Sequence, residues 1–257
     1  SSDLANAEKA GGNEAAFEEA LERLLQFGRP EMGVAWYSER SRHSLEHKRV
    51  KEAREYTQHW LRFAPDDLDA QEQLAGIHMR QKRPQAAVEL WMAVAETARP
   101  SDPARAAANL RRVIETDATA TQARQLLWQV LLEAGSEEEA LEEMRQLADL
   151  LIDRRAYKDA STLLAHILEY RTRSVDTLRR LASLIHEHEG FAKASPHFRK
   201  LLSIMRESPG ENDVEAEYEA VLRLEGADTD LRAEYAEFLV QAGRLPAAKA
   251  QMLQLAQ

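Results

Sequence analysis

"RQLADLLIDRRAYKDASTLLAHI" occupies residues 145–167, and "RRLASLIHEHEGFAKASPHFRKLL" occupies residues 179–202. Shifted by 34 residues, the two agree position for position. Leu147-Ala148 falls on Leu181-Ala182, Leu151 on Ile185, Ala160 on Ala194, Leu164 on Phe198 and Ile167 on Leu201. A third copy, "EQLAGIHMRQKRPQAAVELWMAVA" at 72–95, carries Leu74-Ala75, Ala87 and Trp91 at the same places. The apolar spacing within each copy is that of two amphipathic helices. The physical logic is packing. Small residues let two helices approach, and a bulky residue four positions later fills the space toward the next pair.

Working outward, the same helical period runs through nearly the whole chain, and no period-2 strand stands out. We read helices at about 13–28, 31–46, 49–63, 68–81, 85–98, 102–116, 120–134, 137–153, 157–170, 174–188, 192–206, 212–224, 229–242 and 245–256. "SDP" at 101–103 reads as a cap followed by a proline at the first helical position. Uniform lengths and short links predict stacked antiparallel hairpins. Composition agrees: only 10 Gly and 8 Pro among 257 residues, with aromatics at 6%.

These positions resemble the tetratricopeptide repeat, over most of 31–257. The resemblance implies an all-α, right-handed α-solenoid of about six helix pairs across 13–257, with a half-repeat at each end. Residues 1–12 read as a disordered or appended N-terminus, and the missing initiator Met suggests an array cut from a longer protein. A longer period is visible too: Ala87 to Ala194 is 107 residues, and Gly135 to Gly243 is 108. One ambiguity follows. "ARQLLWQVLLEAGSEEEALEEM" (123–144) and "RAEYAEFLVQAGRLPAAKAQML" (232–253) also look like complete hairpins, in conflict with the register of 145–167. Pro196 is a further departure, falling inside an expected second helix, so that either Ser195 caps a helix starting there or the first turn is distorted.

The net charge of −10 argues against non-specific nucleic-acid or anionic-membrane binding. No apolar run approaches the roughly 20 residues needed to span a bilayer. Cys is absent, which removes disulfides, thiolate metal sites and Cys nucleophiles. No phosphate loop, nucleophile elbow or H-E-x-x-H occurs, so neither enzyme nor cofactor is expected. "LIHEHEGF" (184–191) looks like a metal site, but His186 and His188 are two apart and point about 200° from each other on a helix. His43 and His47 have the i, i+4 spacing of a metal pair, with no third ligand at an obvious spacing and with Arg42, Lys48 and Arg49 crowding the spot.

Charge is unevenly spread. Residues 150–206 carry 11 Lys/Arg against 6 Asp/Glu, and residues 207–257 carry 4 against 11. The first stretch reads either as a basic patch for an acidic protein or anionic polymer, or as a solvated face with i, i+4 pairs. By the resemblance, the first helix of each repeat lines a concave groove, at Glu72, Gly76, Met79, Arg145, Asp149, Ile152, Arg179, Ser183 and His186. Together with the basic Arg154, Arg155 and Arg180, residues Arg145, Asp149, Ile152, Arg179, Ser183 and His186 form the expected partner-binding set. The carboxylate-gripping subgroup of the family is not matched, because Gly76, Asp149 and Ser183 stand where its Asn would be. The expectation is a non-catalytic scaffold that binds protein partners. One alternative is the periplasmic repeat region of an exopolysaccharide or envelope export system, toward which the lack of Cys leans slightly. Another is a regulatory domain attached to an enzyme or transcription factor.

Overall fold

The structure is a computed structural model that describes residue 23 and residues 30–207, 213–224 and 229–256. The expected N-terminal segment 1–12 and the helix expected at 13–28 fall outside the described residues, residue 23 excepted. The chain forms two compact units, Ser1–Glu137 and Glu138–Gln257. The first holds α1 (Glu31–Glu46), α2 (Val50–Phe63), α3 (Leu68–Arg80), α4 (Pro84–Ala98), α5 (Pro103–Thr116) and α6 (Thr121–Glu133). The second holds α7 (Glu137–Asp153, its first residue closing the first unit), α8 (Tyr157–Tyr170), α9 (Val175–Glu189), α10 (Phe191–Glu207), α11 (Val214–Leu222), α12 (Thr229–Gln241) and α13 (Leu245–Leu255). No described residue is in a strand, and each of these helices lies within two residues of its expected ends. Among the described residues, no helix is long and apolar enough to cross a membrane.

Five of the turns between helices share one chemistry. At Lys48, Lys82, Gly135, Arg155 and Gly243 the backbone enters the left-handed region, with φ between 59° and 78°. In each, the amide of that residue bonds the carbonyl three back, and the next amide bonds the carbonyl five back. For Lys82 and Arg83 these bonds run to Met79 and His78, at 3.0 and 2.9 Å. This is the Schellman closure, which satisfies the last carbonyls of a helix. Four other links differ, and end in side-chain caps. Asp67 caps α3, Asp102 caps α5, Ser174 caps α9 and Asp213 caps α11, each accepting backbone N–H groups of the helix it opens. Asp102 and Pro103 therefore play the parts expected of "SDP".

The repeat pairs pack as the sequence requires. Ala87, Ala160 and Ala194 are all completely buried, and the bulky partners Trp91, Leu164 and Phe198 are 6%, 1% and 2% exposed. The longer period is equally physical. Gly135 and Gly243 make the same turn, and Ala140 and Ala248 are both buried. In the first unit an aromatic cluster joins α1 to α2, with Trp36, Tyr37, Trp60 and Phe63 buried together. Gly33 permits it, since a Cβ there would stand 2.3 Å from the Phe63 ring. Ser41 and Thr57, 2.6 Å apart and buried, tie the same two helices.

"LIHEHEGF" is the end of α9 and its turn into α10. Gly190 has φ 90° and ψ 167°, a region essentially closed to other residues. Phe191 and Leu184 are the buried side chains of this stretch, and Ile185 is half-buried. Pro196 lies inside α10, which starts five residues earlier at Phe191, so Ser195 is not its cap.

In the second unit Tyr235 is buried and stacks on Tyr218 at 4.8 Å. Burial first, and then the nearby Glu219 and Glu215 carboxylates, push its hydroxyl up to about 12. A group whose folded value is raised contributes fully below its unfolded value near 10 and loses that contribution as pH rises through the folded value. We expect the second unit to lose on the order of 2 kcal/mol between about pH 10 and 12. Denaturation followed by circular dichroism at stepped pH checks this, and Tyr235→Phe should flatten the profile.

Candidate partner-binding face

All nine expected partner-binding residues lie in the second unit, and none is fully buried. Arg145, Asp149 and Ile152 are on α7, Arg154 and Arg155 in the turn that follows it, and Arg179, Arg180, Ser183 and His186 on α9. The two helices meet through a direct ion pair from Arg180 to Asp149. Arg179 reaches onward to α11, where its guanidinium makes a two-pronged pair with Glu217 at 2.8–3.1 Å. Its hydrogen bonds to Glu217, and the charge of that carboxylate, raise the Arg179 guanidinium above its usual value. Arg145 pairs within its own helix with Glu142, 3.1 Å away. Arg154 and Arg155 are exposed. His186 meets the edge of the Phe191 ring at 6.1 Å, and its Nδ1 is shielded with no hydrogen-bond partner among the described residues. His188 faces elsewhere and stacks on Tyr157 of α8 at 3.5 Å, so the two histidines diverge as helix geometry demands.

The basic stretch is thus bound up with carboxylates. Besides these pairs, Arg171 meets Glu138, Arg173 meets Glu207 at 2.8 Å, and Arg199 meets Glu234. The first unit does the same: Arg99 grips Glu133 at 2.5 and 2.9 Å, and Arg105 meets Glu72 at 2.7 Å. Partners stand 31 to 38 residues apart, about one repeat. They join α3 to α5, α7 to α9 and α9 to α11, and likewise α4 to α6 and α10 to α12. Helices two apart along the chain are tied together in each unit, and such ties hold whichever neighbours pair as hairpins. Schellman turns stand inside both 123–144 and 232–253, at Gly135 and Gly243. α13 packs along α12, and Arg244 before it reaches Glu215 of α11 at 3.3 Å.

Glu72 shows why such a pair can matter more than its exposure suggests. Its Oε1 accepts from Arg105 and also from Asn109, whose side chain is completely buried, at 2.7 Å each. Sequence reasoning placed Glu72 in a groove and missed Glu217 altogether. The available signal was an acid lying one repeat from each arginine.

A second cluster lies at the end of α1. His43, Glu46 and His47 bring ligand atoms within 4.8 Å of one another, all exposed. His47 Nδ1 is 2.9 Å from the His43 carbonyl, so it carries the proton and leaves Nε2 as the ligand atom. Glu46 is the third group of this exposed cluster, which the sequence reading did not single out.

No family model and no curated protein matches the chain. Solved chains similar to it include MamA of AMB-1, at 16% identity over 72% of this chain and 97% of that one, with a TM-score of 0.35. PilF of Pseudomonas aeruginosa is 14% identical over 89% and 99%, at 0.28. A Podospora anserina kinesin-light-chain-type protein with nearly identical TPR-like repeats is 13% identical over 74% and 93%, at 0.35. On its repeat period, its small-and-bulky pairs and its ladder of ties between like helices, the chain has a tetratricopeptide-like, all-α solenoid fold.

Proposed function

We propose that the protein is a non-catalytic scaffold that holds a protein partner against the α7–α9 face of its second unit. One observation carries the reading: the Arg180–Asp149 pair places α7 and α9 side by side, with Ile152, Ser183 and His186 left accessible beside it. Such a surface offers apolar contact for affinity and fixed, oriented charges for specificity and encounter rate. The pairing of Arg171, Arg173, Arg179, Arg180 and Arg199 with carboxylates favours a protein over a bulk anionic polymer. A polymer would need those cations unpaired.

The test separates recognition from structure. Arg179→Glu with Arg180→Glu should cut recovery of the natural partner by about tenfold, read in a quantitative pull-down. Adding Glu217→Arg and Asp149→Arg should return the melting temperature while leaving capture low. Capture that returns together with stability would make the arginines purely structural, and unchanged capture in the first variant would take the α7–α9 face out of the site.

A further inference from the structure

Among the described residues, a group of cations without ion-pair partners gathers in the first unit, outside the stretch where residue counts put positive charge. A cleft of about 560 Å³ is lined by Lys51, Arg54 and Glu55 of α2 and by Arg80, Gln81 and Arg83 at the end of α3 and the turn into α4. Four cations face a single carboxylate. Among the described residues, none of Lys51, Arg54, Arg80 and Arg83 has an ion-pair partner, and the nearby Glu52 is held by Arg49 at 3.0 Å. Residues 46–55 carry four Lys/Arg against three Asp/Glu, and residues 80–83 three against none, a local excess of positive charge in a chain of net −10. Burial first, and then the Arg83 and Arg54 charges, hold His78 below its usual value.

Two structural explanations fall short. Helix dipoles favour cations at C-terminal ends, which accounts for Arg80. Lys51 and Arg54 stand instead in the first two turns of α2, where the dipole disfavours a cation. The repeat ladder explains many arginines elsewhere by pairing them with an acid one repeat away, whereas Lys51, Arg54, Arg80 and Arg83 share the cleft with Glu55 alone. The flanking turns add an independent sign. Lys48 and Lys82, 34 residues apart, both occupy left-handed backbone at φ 59°, where glycine would be about 1 kcal/mol less strained. Lysine stands at both turns, as Arg155 stands at the turn after α7.

We propose that this cleft takes an acidic segment of a polypeptide, whose carboxylates meet Lys51, Arg54, Arg80 and Arg83. Several separate cations spread along a cleft suit successive side chains better than one small anion. A nucleic acid needs a long basic track, which a chain of net −10 with one local patch does not provide. The site is separate from the α7–α9 face and stands or falls without it.

The probe is a fluorescein-labelled decaglutamate peptide, with binding to the whole chain read by anisotropy at low and at physiological salt. Arg54→Glu with Arg83→Glu should weaken binding at least about tenfold, while Arg179→Glu with Arg180→Glu leaves it within about twofold. The milder Lys51→Ala with Arg80→Ala, at two exposed positions, should weaken it about threefold with an unchanged circular dichroism spectrum. Equal binding by wild type and both cleft variants overturns the proposal. So does an equal loss on reversing Arg179 and Arg180, or tighter binding of a DNA oligomer or polyphosphate of the same charge.

Discussion

Phe198→Ala is expected to lower the unfolding free energy of the second unit by about 3–5 kcal/mol. Phe198 is 2% exposed, stacks on Phe191 at 6.0 Å and fills the space that the buried Ala194 opens between helices. Truncation would leave a cavity in a contact that α9 and α10 both depend on. The repeat supplies its own control. The preceding hairpin has Leu164 at the same place and the earlier one Trp91, so the position accepts different bulky shapes. Phe198→Leu should therefore cost under about 1.5 kcal/mol. Urea denaturation of both variants checks the pair, and a loss below about 1 kcal/mol for alanine would mean that this side chain does not fill the joint.

Pro196→Ala should move stability the other way, by up to about 3 kcal/mol. α10 runs unbroken from Phe191 to Glu207 with Pro196 inside it. A proline there has no N–H for the Ala192 carbonyl four residues back, and its ring crowds that carbonyl. Alanine restores the bond and removes the crowding. The same measurement decides the helix start, because a helix that began at Pro196 behind a Ser195 cap would gain almost nothing from the change. An unchanged denaturation midpoint would place the start of α10 at Pro196 rather than Phe191.

Much of the fold was legible because local pattern and tertiary packing agree. Leu147-Ala148, Ala160 and Leu164 repeat at 34 residues since every hairpin solves the same packing problem. Helix ends were readable wherever a capping side chain or a left-handed turn residue announced them, as at Asp102 and Gly135. Register was harder. Schellman turns occur at Gly135 and Gly243 as well as at Lys48, Lys82 and Arg155, so they do not pick out one pairing of the helices. Ties such as Arg105 to Glu72 join helices two apart along the chain, in either pairing.

The charge of the candidate site was not legible. The resemblance put Asp149, Ser183 and His186 on first helices of their repeats; Asp149 is exposed, and Ser183 and His186 are half-buried. A net charge counted along a segment does not reveal that Arg179 is answered by Glu217, or Arg199 by Glu234. The same count hid Lys51, Arg54, Arg80 and Arg83, which lie on two separate stretches of chain and meet only through folding.

The central claim is that a protein partner rests on the α7–α9 face, and site-specific photo-cross-linking tests it most directly. Benzoylphenylalanine at Ile152 or Ser183 should give the same cross-linked protein on illumination of cells that make the full-length chain. The same residue at Thr162, exposed on α8, should give none. Equal cross-linking from Thr162, or no discrete adduct from either Ile152 or Ser183, would contradict the account.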